Sequence, residues 1–283
     1  MSIEKISFKH SITPKDKLFD LRLSDIWRFR DLLSLFVYRD FVAVYKQTIL
    51  GPIWFFIQPL FTTIVYTVIF SKVAKISTDG LPPLLFYLAG VSSWNYFSAC
   101  FSKTSNSFTE NAQLFGKVYF PRVIVPLSVV VSNLLTFSIQ FLLFILLLGY
   151  YLIKGVSIHP NIYILLLPIL VLIMAFMGLG FGMLVSALTT KYRDLQFLVT
   201  FGIQLAMYAT PVIYPTSVIP AKYQWIMTVN PMASIIETFR YAFLGVGSFS
   251  WEGLLYSLTF TFTIFSLGLI IFNNTEKNFM DTV

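Results

Sequence analysis

The chain has 283 residues, 57% of them hydrophobic and 12% charged, with a mean hydropathy of +0.76. That balance excludes an ordinary soluble domain, in which about a quarter of residues carry charge. The net charge of +7 does not mark a nucleic-acid binder: residues 1–50 mix nine Lys and Arg with six acids instead of forming a basic stripe. Cys100 is the single cysteine and lies in an apolar stretch, and His10 and His159 are far apart, so neither a disulfide framework nor a metal site is expected.

Residues 1–24 read as a polar tail. From residue 25 to 48 the pattern predicts an amphipathic helix, capped by Ser24 or Asp25, with Phe29, Leu32, Leu33 and Phe36 on one face. Such a helix lies in a membrane interface with Trp27 and Tyr38 at headgroup depth, or packs as a soluble helix on a partner.

Six apolar runs follow, at 49–71, 84–102, 123–153, 161–188, 195–213 and 254–272, and none contains Asp, Glu, Lys, Arg or His. Each reaches the ~18–20 residues that cross a hydrocarbon layer about 30 Å thick. The expected fold is therefore an all-α polytopic membrane protein with six transmembrane helices and a membrane domain over residues 49–273. A polar end, 274–283, closes the chain. Sorted by these spans, fifteen of the 20 Lys and Arg fall on the side of the two termini and five on the other. The positive-inside rule places both termini in the cytoplasm. An intramembrane charge would mark an ion or proton pathway, and its absence implies that the motor lies elsewhere.

Within the first run Pro59 is expected to kink or loosen the helix. The second carries Ser92, Ser93, Trp94, Asn95 and Tyr96, polar groups that need to face other helices or a wet cavity. Between the second and third runs, Ser107-x-x-Glu110 resembles a capping box, and a short helix ends by Gly116 and Pro121. With Leu114 and Phe115 available for burial, this segment reads equally as a docking element or as an amphipathic linker. Gly178, Gly182 and Ser186 in the fourth run form a small-residue stripe for close helix packing.

The fifth run ends in ATPVIYPTSVIP, whose prolines forbid a long straight helix. Residues 212–250 are expected to be re-entrant, or flat at the outer mouth. Two short helices break there at Asn230-Pro231, and Glu237 and Arg240 are placed to pair three residues apart. Trp54, Tyr66, Tyr87, Trp94, Tyr96 and Tyr208 lie inside spans and offer a flat face with one polar handle. They are the candidates for lining a pathway for a neutral or sugar-rich cargo.

No G-x-x-x-x-G-K-[ST], H-E-x-x-H, C-x-x-C or G-x-S-x-G run occurs. A transport role without ATPase or other catalytic residues is expected, ahead of an ion-coupled secondary transporter or a glycan-modifying membrane enzyme. Five stretches carry a family resemblance: YRDFVAVYKQTILGPIWFFIQP, NAQLFGKVYFPRVIVPLS, LTTKYRDLQF, TPVIYPTSVIP and NPMASIIETFRYAFLG. In this order the chain resembles the membrane subunits of type-2 ABC exporters, and among them the permeases that export O-antigen polysaccharide. Teichoic acid and capsule exporters share much of the pattern.

The resemblance implies a homodimer in a bacterial inner membrane, bound to two copies of a separate ATPase subunit that holds the ATP and magnesium. It implies no cofactor in this chain and a polysaccharide cargo on an undecaprenyl lipid. Asn111, Ala112, Gln113, Leu114, Phe115, Gly116 and Lys117 correspond to the family's ATPase-coupling region. Residues 25–48 correspond to its interfacial helix, and residues 212–245 to its outer re-entrant helices.

Overall fold

The computed structural model describes residues 23–46, 48–115, 117–118, 120–190, 192 and 194–278. The expected N-terminal tail as far as residue 22, and the chain end from 279, lie outside the described residues. Among the described residues every regular element is helical. The chain enters through α1 (Leu23–Arg28) and α2 (Arg30–Tyr45), separated by Phe29 with φ −97° and ψ 20°. Ser24 and Asp25 both lie within α1, so neither caps it. The break at Phe29 lets Ile26, Phe29, Leu32 and Leu33 all pack on one apolar cluster, with Phe36 buried in it.

A short 3-10 turn, Gly51–Ile53, opens α3 (Trp54–Tyr66), which passes through Pro59 and continues as a π-helical stretch, Thr67–Val73. The central helix is α4 (Pro83–Ser105). Two short helices, α5 (Ser107–Glu110) and α6 (Ala112–Phe115), lead to α7 (Ile124–Ile153), one unbroken 30-residue helix. A 3-10 turn, Ile162–Leu166, precedes α8 (Leu167–Thr189), and α9 (Leu195–Tyr208) follows. The chain then forms α10 (Gln224–Val229), α11 (Pro231–Leu244) and α12 (Trp251–Asn278).

Among the described residues four segments are long and apolar enough to cross a membrane: Gly51–Val73, Ile124–Ile153, Ile162–Thr189 and Trp251–Thr275. The other two expected spans differ for separate physical reasons. With 23 residues α4 has the length but not the hydropathy, because of Ser92, Ser93, Asn95 and their neighbours. It packs against α3, α7, α8, α9 and α11, so protein and not lipid surrounds most of it, and polar side chains are tolerable there. Ser93 Oγ, for one, donates to the Ala89 carbonyl at 3.0 Å.

With 14 residues α9 spans only about 21 Å at 1.5 Å per residue. The proline-rich segment beyond it cannot extend the helix, and the start of α11 is tied to the end of α9 by Asn230 Nδ2 donating to the Ala209 carbonyl at 3.1 Å. Asn230 caps α11 by accepting from Met232 N at 3.0 Å, which explains the break expected at Asn230-Pro231.

The bundle is held by close approach along α8. A Cβ on Gly178 would come 2.8 Å from the Cβ of Cys100, and one on Gly182 would fall on Thr104, so α4 crosses at this pair. On the opposite face a Cβ on Gly180 would meet Phe265 Cα of α12 at 2.8 Å. Replacing Gly182 by Leu is therefore expected to destabilise the chain by at least about 1–3 kcal/mol through overpacking. Gly149→Ala, with nothing within 4 Å of the added carbon, serves as the control. Melting in detergent checks both: a Gly182→Leu midpoint equal to that of Gly149→Ala would show that the crossing does not need a glycine.

Candidate functional site

The sequence-derived candidates fall into three sets. The first lies at the end where α4 finishes and α7 begins. Here Phe108 of α5 stacks on Phe272 of α12 with centroids 4.5 Å apart and meets Phe115 edge-on at 5.9 Å. Phe115 packs on Phe120, and the Arg122 guanidinium lies 5.3 Å above the Phe115 ring. Phe36 of α2 meets Phe120 at 5.8 Å, so α2, α5, α6 and α12 share one aromatic cluster.

Hydrogen bonds tie the same segment to α8 and α9. Phe108 N donates to Ser186 Oγ, Thr189 Oγ1 donates to the Ser105 carbonyl, and Gln196 Nε2 donates to Thr109 Oγ1 at 3.1 Å. Ser186, expected only as part of a packing stripe, thus holds the start of α5. Ser107 is the first helical residue and makes no capping bond; Asn106 occupies the cap position. Instead Asn111 Nδ2 donates to the Ser107 carbonyl and closes α5.

The coupling candidates therefore split. Phe115 is buried, Leu114 and Asn111 are half-buried, and Gln113 and Lys117 are exposed, with Val118 beside them 52% exposed. Gly116 and the side chain of Ala112 lie outside the described residues. Burial of Phe115 makes it an anchor, so a charge placed there would test folding before it tested docking.

The six aromatic candidates do not form one lining. Tyr87 and Trp94 are buried in the core beside α8 and α11. Tyr66 meets Tyr87 edge-on at 6.4 Å and reaches Met207 Sδ of α9 at 3.8 Å. Tyr96 packs on Phe137 of α7 at 5.2 Å and borders a polar groove. Trp54 and Tyr208 are 43% and 54% exposed.

At the opposite end, Glu237 and Arg240 form the pair expected from their spacing, 3.4 Å apart. Their setting is buried and more elaborate than a pair at an interface. Arg240 is 1% exposed; its Nη1 donates to the Pro211 carbonyl at 2.5 Å and its Nη2 to the Val212 carbonyl at 2.6 Å. The guanidinium lies 3.7 Å above the Phe86 ring of α4. Glu237 Oε2 accepts from Thr216 Oγ1 at 3.1 Å and from Ser248 N at 3.2 Å.

Two glycines leave room for this pair. A Cβ on Gly90 would lie 2.6 Å from the Val212 oxygen and 2.8 Å from Arg240 Nη2, and one on Gly247 2.9 Å from Glu237 Oε2. The Asp79 carboxylate accepts from Ser217 Oγ at 2.7 Å, which fixes the loop before α4 to the same region. Phe86, Gly90 and the two carbonyls escape a reading of the sequence. Nothing periodic marks them, and they matter only because α4, α11 and the end of α9 meet.

Comparison with known proteins adds an independent constraint. The model of the ABC-2 type transporter family matches residues 31–244. An O-antigen export system permease protein of Klebsiella pneumoniae is 32% identical over 253 residues, covering 89% of this chain and 94% of that protein. One of the same description from Myxococcus xanthus is 30% identical over 221 residues, covering 77% of this chain and 82% of that protein.

Proposed function

Because the chain belongs to the ABC-2 type transporter family, we propose that it is the membrane permease subunit of an ATP-driven exporter of O-antigen polysaccharide. The observation that carries this reading is the segment 105–122: it is locked by aromatic stacking to α12 and by hydrogen bonds to α8, yet turns Gln113 and Lys117 outward. A motor subunit gripping those outward residues would move several long helices at once. The relatives named for O-antigen export align over nearly their whole length, which supports the cargo.

On this reading the chain crosses the bacterial inner membrane six times with both termini in the cytoplasm: through α3, α4, α7, α8 and α12, and through α9 completed by the proline-rich stretch after it. The re-entrant α10 and α11 sit at the outer face. Two copies of the chain bind two ATPase subunits. No residue of α9 is buried, and Phe197, Phe201 and Leu205 on it are exposed, which supports α9 as part of the face between copies. ATP binding closes the motor, the coupling helices carry the motion upward, and a glycan on an undecaprenyl carrier passes between the two chains.

The test is export by cells that lack their own permease, supplied with this chain and its ATPase. Surface polysaccharide should appear with an active ATPase and vanish when the catalytic glutamate of the ATPase is replaced. Export that persists with the inactive ATPase would point to an ion-coupled carrier instead.

A further inference from the structure

A polar groove of about 480 Å³ lies between α2, α3, α4, α7 and α9, and of the six aromatic candidates Tyr96 alone borders it. Five carboxamides line it, Gln58, Asn95, Asn133, Gln140 and Gln204, in a part of the chain otherwise composed for hydrocarbon. Gln140 carries the most information. It is 7% exposed, and its Oε1 is buried with no hydrogen-bond partner. A buried carbonyl oxygen left without a donor is costly. A groove lined by the residue that carries such an oxygen suits a ligand that brings hydroxyl donors.

The groove has a charged end. Lys103, in the last turn of α4, donates from Nζ to Asn133 Oδ1 at 3.1 Å, and Asn133 Nδ2 donates in turn to the Val129 carbonyl. Among the described residues no carboxylate lies within salt-bridge distance of Lys103. Asp40, the acid lining the groove, is paired with Arg39 at 2.8 Å, which offsets its charge. Asn133 accepts only one of three ammonium protons, so two remain for an anion. Seven residues separate Asn133 from Gln140 along α7, and seven separate Lys103 from Tyr96 along α4. Each interval is about 10 Å of helix rise. A cation thus lies, measured along the helices, about 10 Å from the unpartnered amide and from the buried rings of Tyr96 and Phe137, which close the groove's inner wall.

We propose that this groove binds the headgroup of an anionic lipid bearing hydroxyls, with the phosphate on Lys103 and the hydroxylated part toward Gln140. A sugar-phosphate lipid and the membrane's own phosphatidylglycerol share that chemistry. The assignment to the cargo lipid rests on the export reading; the site itself does not.

The experiment is native mass spectrometry of the purified full chain, titrated separately with a prenyl-pyrophosphate disaccharide, phosphatidylglycerol and the uncharged dodecyl maltoside. Lys103→Gln should weaken at least one phosphate lipid tenfold or more, Lys103→Arg should restore it, and the maltoside should not respond. Gln140→Leu removes the amide without touching the charge. If it weakens only the disaccharide lipid, the cargo is the occupant; if phosphatidylglycerol alone depends on Lys103, the occupant is membrane lipid. Unchanged affinity of both phosphate lipids in Lys103→Gln, in a variant with wild-type melting, overturns the proposal. Export by the wild-type complex is measured in parallel. Export without Lys103-dependent binding sinks the groove and leaves the exporter standing, whereas Lys103-dependent binding without ATP-dependent export does the reverse.

Discussion

Replacing Arg240 by Met is expected to destabilise the chain by about 3–5 kcal/mol, the effect of removing one partner from a buried ionic cluster. The distances say which contacts matter. The bond to Glu237 is long at 3.4 Å, whereas those to the Pro211 and Val212 carbonyls are 2.5 and 2.6 Å. Those carbonyls belong to the stretch where α9 has ended and no helix supplies donors, and Val212 is fully buried. Unpaired carbonyls at that depth are costly, so Arg240 stands in for the backbone donors that the prolines deny.

It follows that Arg240→Met should be worse than Glu237→Gln, whose amide oxygen can still accept from Thr216 and Ser248. Arg240→Lys should fall between them, because an ammonium lacks the planar fork that reaches two carbonyls. Gly90→Ala should resemble a milder Arg240 variant, at about 1–3 kcal/mol, by pushing the guanidinium off Val212. Melting of the four variants in one detergent gives the order. If Glu237→Gln proved the more damaging change, the ion pair and not the carbonyl bonds would hold α11.

This cluster also shows what a sequence can and cannot carry. The i,i+3 spacing of Glu237 and Arg240 is a local fact, and so is the helix break at Asn230-Pro231; both are legible and both are present. The carbonyls of Pro211 and Val212 and the gap at Gly90 arise from the meeting of three helices, and no local pattern encodes that meeting. The long spans were legible because absence of charge over about 20 residues has few other meanings. The shortness of α9 was half legible: the prolines announced that helix would stop, but not that it would stop at Tyr208.

The aromatic candidates were the least legible. A helix that is apolar all round gives no rotational phase, and side-chain type alone cannot sort the candidates. Tyr87 is buried in the core while Tyr208, the same residue type, is exposed. Polarity within an apolar run proved a better guide than aromaticity. The serines and Asn95 of α4 mark the helix that the others surround.

The segment proposed for coupling to the motor yields the second large effect, because its inward and outward residues should fail in different ways. Reversing the charge at Lys117 and placing Arg at Gln113 changes only exposed positions, so the chain should reach the membrane and melt as wild type. Surface substitutions of this kind usually stay within about 0.5 kcal/mol. Copurification of the ATPase should nevertheless fall about tenfold or more, and export with it. A like charge or added bulk at the centre of an interface typically removes about 1.4 kcal/mol or more of binding, which is that factor.

Phe108→Ala acts from the other side. It removes a fully buried ring that stacks on Phe272 of α12, a change of about 3–5 kcal/mol in a packed core. With stability restored by lower temperature, the outward residues remain in place, so the ATPase should still bind. Its ATP hydrolysis should then be poorly coupled to export, because the grip on α12 is weakened while the grip on the motor is not. Binding and coupling are thereby separable by variants within one short segment. Loss of ATPase binding in Phe108→Ala at a temperature where it is fully folded would mean that the docking surface extends over α5 and that anchor and contact are not distinct.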